Sequence, residues 1–259
     1  MYRLILSLLL VAFVGFGISG CEKEEKLVLA TAAEFPPFEF KEGAEFKGVD
    51  IEIAQEIAKY LGKTLEIKDI EFDAVVGAVS SGNADFAASG LTINSERMKV
   101  VDFTQHYYNA NQVVVVKSDN VALKQVGNDA EALVQAIDAI NGIRIGVLAG
   151  ATGMFYASGD ADWGFSGFKN AEIKSFVNGS LAVSALVNGQ VDIVILDEAP
   201  AYLISKANVG TEVLQATLTQ EQYGIAVKKG NKELLDSINE ALDAMQKDGT
   251  FESIMRKYF

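Results

Sequence analysis

One cysteine and one histidine stand among 259 residues. A single thiol closes no internal disulfide, and one imidazole cannot supply the histidine sets of zinc sites or the thiolate sets of metal clusters. No metal and no cofactor is therefore expected, and a nucleophilic triad has almost nothing to draw on. Basic residues are scarce as well: 22 Lys and Arg against 35 Asp and Glu give a formal charge of −13. A chain of that sign lacks the positive footprint that phosphates require, which excludes nucleic acid as a partner. Three prolines and 9% aromatic residues fit an ordered globular chain, long enough for one or two domains with real cores.

Long apolar runs are also rare, and the one present comes first. Met1-Tyr2-Arg3 precedes an apolar stretch from Leu4 to Ile18, short for a bilayer span and of the size of a signal-peptide hydrophobic region. It ends in Ile18-Ser19-Gly20-Cys21, which resembles the lipobox of bacterial lipoproteins. A signal peptide over 1–20, lipidation at Cys21 and a charged tether over 21–26 are expected. Two or more acyl chains on one residue anchor stably where one chain does not. The remainder is expected to be exported and held at the cell envelope by lipid, in the periplasm or on the outer face of the cytoplasmic membrane.

The rest of the chain alternates strand and helix signals. Leu27–Thr31 reads as a strand, followed by a loop that Pro36 and Pro37 should hold extended. Asp50 is placed to cap a helix carrying Ile51, Ala54, Ile57, Ala58 and Leu61, with Gly62 at its stop. Strand Thr64–Ile70, a helix capped by Asp73 and ending at Ser81-Gly82, and strands at Ala84–Ser89 and Val113–Val116 follow. The pattern then restarts: helix 129–140, strand Ile143–Leu148, a helix opened by Gly150-Ala151-Thr152-Gly153, strand Glu172–Phe176, helix Ser180–Val187, strand Val191–Leu196 and helix Glu198–Ala207. A last strand at Gly224–Val227 leads to two helices divided by Gly249. Alternation at this spacing implies an α/β fold with a parallel-type sheet, and the length suits two units of about a hundred residues.

Several local patterns occur in a fixed order: Glu34-Phe35-Pro36-Pro37-Phe38-Glu39-Phe40; Gly48-Val49-Asp50-Ile51; Ser89-Gly90-Leu91-Thr92 through Arg97; Val101-Asp102-Phe103-Thr104; Gly150-Ala151-Thr152-Gly153; and Asp197 at a strand end. In these the chain resembles the family-3 extracellular solute-binding proteins, the polar amino-acid-binding components of ABC importers. The resemblance covers essentially the whole chain after the leader. It implies the two-lobe periplasmic-binding-protein fold of type II, each lobe a mixed sheet flanked by helices, with two hinge crossings. Lobe one would take residues 27–111 plus 222–259 and lobe two 115–218, with the hinge near Asn111–Val114 and Gln220–Gly224. A monomer that clamps a free amino acid and docks on a membrane permease is the implied function, without catalysis.

The same resemblance assigns roles that physical chemistry makes sensible. Burying a zwitterion requires a paired cation, a paired anion and hydrogen bonds, or desolvation is prohibitive. Arg97 matches the carboxylate-binding position, where a planar fork grips both oxygens as Lys cannot. Asp197 matches the ammonium partner, and the same residue could alternatively cap the helix that follows it. Thr92 would offer its N–H and hydroxyl, Ser89 its carbonyl, and Gly90 the room left by its missing side chain. Thr152 would close on the carboxylate from the second lobe, although the usual Gly-Thr-Thr-Gly is reduced here to Gly-Ala-Thr-Gly. Phe35 and Phe72 match aromatic flanks of the ligand side chain. With Ala32, Leu148 and Leu196 they make a pocket without an obvious charge partner, so an uncharged ligand is expected unless Glu34 turns inward. A periplasmic dehydratase built on the same fold, or a soluble partner of a sensor, are the alternatives.

Overall fold

A computed structural model describes residues 25–259. The signal peptide and residues 21–24 of the tether, Cys21 among them, lie outside the described residues. Apolar side chains on both faces bury Leu27, Leu29 and Ala30, making Lys26–Thr31 an interior strand. It pairs in parallel with Thr64–Asp69 on one side and Phe86–Ala87 on the other. Ala226–Lys228 follows antiparallel, and Val101–Phe103 forms the far edge. A second five-stranded sheet repeats this plan. Ile143–Leu148 lies between the parallel strands Ala171–Phe176 and Ile193–Asp197, followed by the antiparallel Gln112–Lys117 and Thr211–Thr217. Two lobes, each a mixed sheet flanked by helices, are the result.

The chain crosses between the sheets twice. Tyr108–Ala110 runs into Gln112–Lys117, and Thr211–Thr217 returns into Glu221–Tyr223; the two crossing segments pair antiparallel. The first sheet therefore takes strands from both ends of the chain. Helices Lys232–Asp248 and Thr250–Tyr258 then pack back on Val49–Tyr60. Apolar contact is continuous from the first lobe into the near face of the second through Phe72, Leu148 and Ala151, so the lobes are closed on one another.

Local expectations needed three corrections. Asp50 does not cap its helix: Val49–Tyr60 starts after Gly48, and Asp50 lies in the first turn, fully buried. Its carboxyl accepts from the Gly90 N–H and the Tyr107 hydroxyl, each at 2.8 Å, donors that only the folded chain brings near. Gly48 takes the junction because its φ is 120° and a Cβ there would lie 2.1 Å from the Phe38 carbonyl oxygen. Asp73 likewise sits inside the first turn of Phe72–Ser81, with Glu71 in the cap position, where its charge still favours the helix dipole. Finally, Phe35–Phe38 is a turn, not an extended loop. The Pro36–Pro37 bond is cis, Phe38 N–H donates to the Phe35 carbonyl, and the hairpin Glu34–Phe35 with Glu39–Glu42 grows from it.

Candidate functional site

Both sheets end their parallel strands at the interface between the lobes, and residues with chemistry collect at those carboxyl ends, where open α/β sheets bind ligands. Ser89 to Thr92 follow Phe86–Ala87, while Leu148 and Asp197 end the second-lobe strands Ile143–Leu148 and Ile193–Asp197. Arg97 stands on the short helix Ser95–Met98, whose start is fixed by Asn94: its side-chain oxygen accepts from the Arg97 N–H at 2.8 Å.

Arg97 is 6% exposed. Its guanidinium donates to the Thr92 carbonyl at 2.8 Å and across the cleft to the Gly150 carbonyl at 3.1 Å. The Phe72 ring lies 5.5 Å beneath it, so this aromatic steadies the cation in addition to walling the cleft. Burial pulls the guanidinium down to about 10, opposed by the nearby carboxylates of Asp197 and Glu221. Thr92 donates its hydroxyl to Glu221 at 2.7 Å and accepts from the Thr152 hydroxyl of the second lobe at 2.9 Å.

Asp197 is 5% exposed and occupies the cap position of Glu198–Ala207, yet its side chain makes no cap hydrogen bond. It accepts instead from the Tyr223 hydroxyl on the returning crossing strand. Burial, reinforced by repulsion from Glu221, raises it to about 7. Arg97 and Asp197 thus face the same closed cleft from opposite lobes, and neither spends its hydrogen bonds on the other.

Gly90 has a φ of 51°, and a Cβ there would lie 2.9 Å from the Phe35 ring and 3.3 Å from the Tyr223 ring. The space it leaves is taken by aromatic walls in this closed arrangement. Leu196 does not reach the cleft lining. It is 1% exposed, and a Cβ on Gly179 would strike its methyl groups at 3.1 and 3.2 Å, which places it in the core of the second lobe.

A cavity of about 500 Å³ opens between the lobes beside these groups, lined by Ala32, Phe35, Phe72 and Leu148 as the sequence suggested. Its wall also carries Glu34, Asp69 and Glu71 from the first lobe and Val177, Asn178 and Leu181 from the second. Glu34 is exposed at the rim of this cavity and accepts a hydrogen bond from the Asn178 side chain across the opening. Asp69 is already paired with Lys41 and accepts from the Ala33 N–H. Sequence reasoning missed Tyr223, Glu221 and Asn178. Their partners lie 26, 129 and 144 residues away, so no local spacing marked them. Among the described residues no group of three or more His, Cys, Asp or Glu is placed to hold a metal ion, and no helix is long and apolar enough to cross a membrane.

Comparison with known proteins agrees with this architecture. The chain is 31% identical to the ABC transporter arginine-binding protein 1 of Escherichia coli K12, covering all of this chain and 99% of that one. It is 29% identical to the arginine-binding extracellular protein ArtP of Bacillus subtilis 168, over 98% of this chain and 97% of the relative. A solved ancestral arginine-binding protein bound to arginine superposes with a TM-score of 0.80 at 37% identity, covering 91% of this chain and 99% of that one. The pattern of the bacterial extracellular solute-binding proteins, family 3, matches residues 27–259. This chain is a member of that family, the amino-acid-binding extracellular solute-binding proteins of ABC transporters.

Proposed function

We propose that the chain captures one free amino acid between its lobes, and that the captured amino acid has a long cationic side chain, of which arginine is the type. The observation that carries the capture is the placement of Arg97 and Asp197, both buried, one from each lobe, at the closed seam where the guanidinium already bridges to the Gly150 carbonyl of the second lobe. A guanidinium for the α-carboxylate and a carboxylate for the α-ammonium, with Thr92 and Thr152 beside them, meet the needs of a desolvated zwitterion.

The cationic side chain replaces the uncharged one that Ala32, Leu148 and Leu196 suggested. Leu196 belongs to the core, and the cavity rim carries the exposed carboxylates of Glu34 and Glu71, neither of them in an ion pair among the described residues, with no cationic side chain in the wall. Phe35 and Phe72 supply flat apolar faces, against which a guanidinium stacks better than an ammonium. The solved and curated relatives named for arginine support the same direction.

Delivery to a membrane permease follows from the family's transport role, and lipid attachment at Cys21 would keep the loaded protein near it. Closure works by population shift: a ligand that touches both lobes binds the closed form better and favours it. Titration calorimetry against the twenty standard amino acids is the test. Arginine or lysine should bind best, and Glu34→Gln should weaken that binding by about twofold to fivefold. Tight binding of neutral amino acids alone would refute the side-chain assignment while leaving the clamp intact. Recovery of the bound amino acid unchanged after long incubation separates a carrier from a dehydratase.

A further inference from the structure

Beneath the cleft lies a pair of carboxyl groups that ligand binding, as described, does not use. Glu39 and Asp50 are both fully buried. Each is tied to one of two consecutive residues of the ligand-facing turn. The Ser89 hydroxyl donates to Glu39 Oε1 at 2.9 Å, and the Gly90 N–H donates to Asp50 Oδ2 at 2.8 Å. The same Ser89 oxygen accepts from the Ala32 N–H at 3.0 Å, which links the turn to the end of the central strand. The other oxygen of Glu39 is buried with no amide, hydroxyl or cationic donor against it.

We propose that the Glu39–Asp50 carboxyl pair is a positioning device for ligand capture: by sharing one proton it fixes the Ser89-Gly90 turn in the shape that receives the ligand's ammonium. This rests on the binding function proposed above and adds to it two residues that touch no ligand.

The chemistry of the surroundings leaves little choice. The Ser89 hydroxyl of the turn touches Glu39, and the ionisable groups near enough to act on it are Asp50 from helix Val49–Tyr60, Tyr107 from the segment before the hinge and, more weakly, Asp197 from the second lobe. None is a cation. Two adjacent buried carboxylates cannot both ionise in such a site, so one keeps its proton and donates it to the other. Glu39 is the one: burial, followed by repulsion from Asp50, pushes it well above the ordinary carboxylate range, and its proton answers the otherwise unpartnered Oε2. Asp50, with donors from Gly90 and Tyr107, is the acceptor. Gly90 reaches its φ of 51° without strain but has other shapes open to it, and the hydrogen bonds of Ser89 to Glu39 and of Gly90 to Asp50 select this one.

The test uses the full chain, with whichever standard amino acid the wild type binds most tightly as the probe. Glu39→Gln keeps both a donor toward Asp50 and an acceptor for Ser89, and should bind within about threefold of wild type at neutral pH. Glu39→Ala removes both and should weaken binding at least tenfold in a chain that still melts cooperatively. Ser89→Ala should also weaken binding, and combining it with Glu39→Ala should cost less than the two separate losses added together, because the Ser89–Glu39 contact is counted in both. The infrared carbonyl band of protonated carboxyls should lose the Glu39 component in Glu39→Gln, leaving the part that Asp197 contributes and that fades as pH rises past about 7. Wild-type affinity in Ser89→Ala, independent effects of the two alanine variants, or loss of binding in Glu39→Gln equal to that in Glu39→Ala would each overturn the inference. Should Glu39→Ala fail to fold, the Gln and Ser89 variants still decide it. If the wild type binds none of the twenty, the functional reading falls first and this one with it.

Discussion

Arg97 is the residue on which affinity should depend most. Replacing it with Ala leaves a bound carboxylate and the Asp197 and Glu221 charges without their buried cation, a loss on the order of 2–5 kcal/mol. Calorimetry on Arg97→Ala should therefore show at least a thirtyfold weaker ligand; unchanged affinity would remove the residue from the site. Arg97→Lys should rescue little, since an ammonium neither forks around a carboxylate nor reproduces the fit over Phe72. Asp197 supplies the pH dependence. Its folded value of about 7, like the value of about 6 for Asp50, exceeds the value of about 3.9 for an unfolded Asp. The folded chain then holds protons that the unfolded chain has lost, so ligand-free stability falls as pH rises from about 4 through 7, by about 1.4 kcal/mol per pH unit for each carboxyl inside its window. A bound ammonium reverses the preference of Asp197 by stabilising its charged form. The melting temperature of the free protein should drop between pH 5 and 7.5, while the rise caused by arginine should grow over the same interval. A ligand-induced rise that shrinks with pH would contradict the pairing.

At the level of elements, the cleft depends on short pieces held by caps. Asn94 seats the helix Ser95–Met98, which spans a single turn, and removing a cap of this kind costs about 1 kcal/mol. Asn94→Ala should weaken ligand binding more than it lowers the melting temperature, because it loosens the mount of Arg97 while leaving both cores intact. A variant with normal affinity and reduced stability would show the cap to be structural only. The same scale shows what the sequence revealed. Interior strands such as Leu27–Thr31 and Val113–Val116 stood out because runs buried on both faces are largely apolar, and the candidate Asp197 ends another such strand, Ile193–Asp197. Asp50 and Asp73 misled because a carboxylate before an apolar helix resembles a cap, whereas Gly90 and Tyr107 come to Asp50 only by tertiary folding. Glu34 was ambiguous for a related reason: its orientation is set by Asn178 in the other lobe. Leu196 looked like pocket lining from its position beside Asp197, but successive residues of a strand point to opposite faces.

For the molecule as a whole, the two lobes differ in how the chain supplies them. Every strand of the second sheet comes from Gln112–Thr217, one uninterrupted stretch. The first sheet waits for Ala226–Lys228, and its helix Val49–Tyr60 waits for the two C-terminal helices. A chain entering the envelope N-terminus first can thus complete its later half before its earlier one. The sole tryptophan, Trp163, packs against the core of the second lobe and acts as a built-in reporter of that half. On refolding from denaturant, its emission should recover ahead of ligand-binding competence, which needs Arg97 seated by a finished first lobe. Simultaneous recovery of the two signals would mean that the halves are made as one, and that maturation after export has no waiting step.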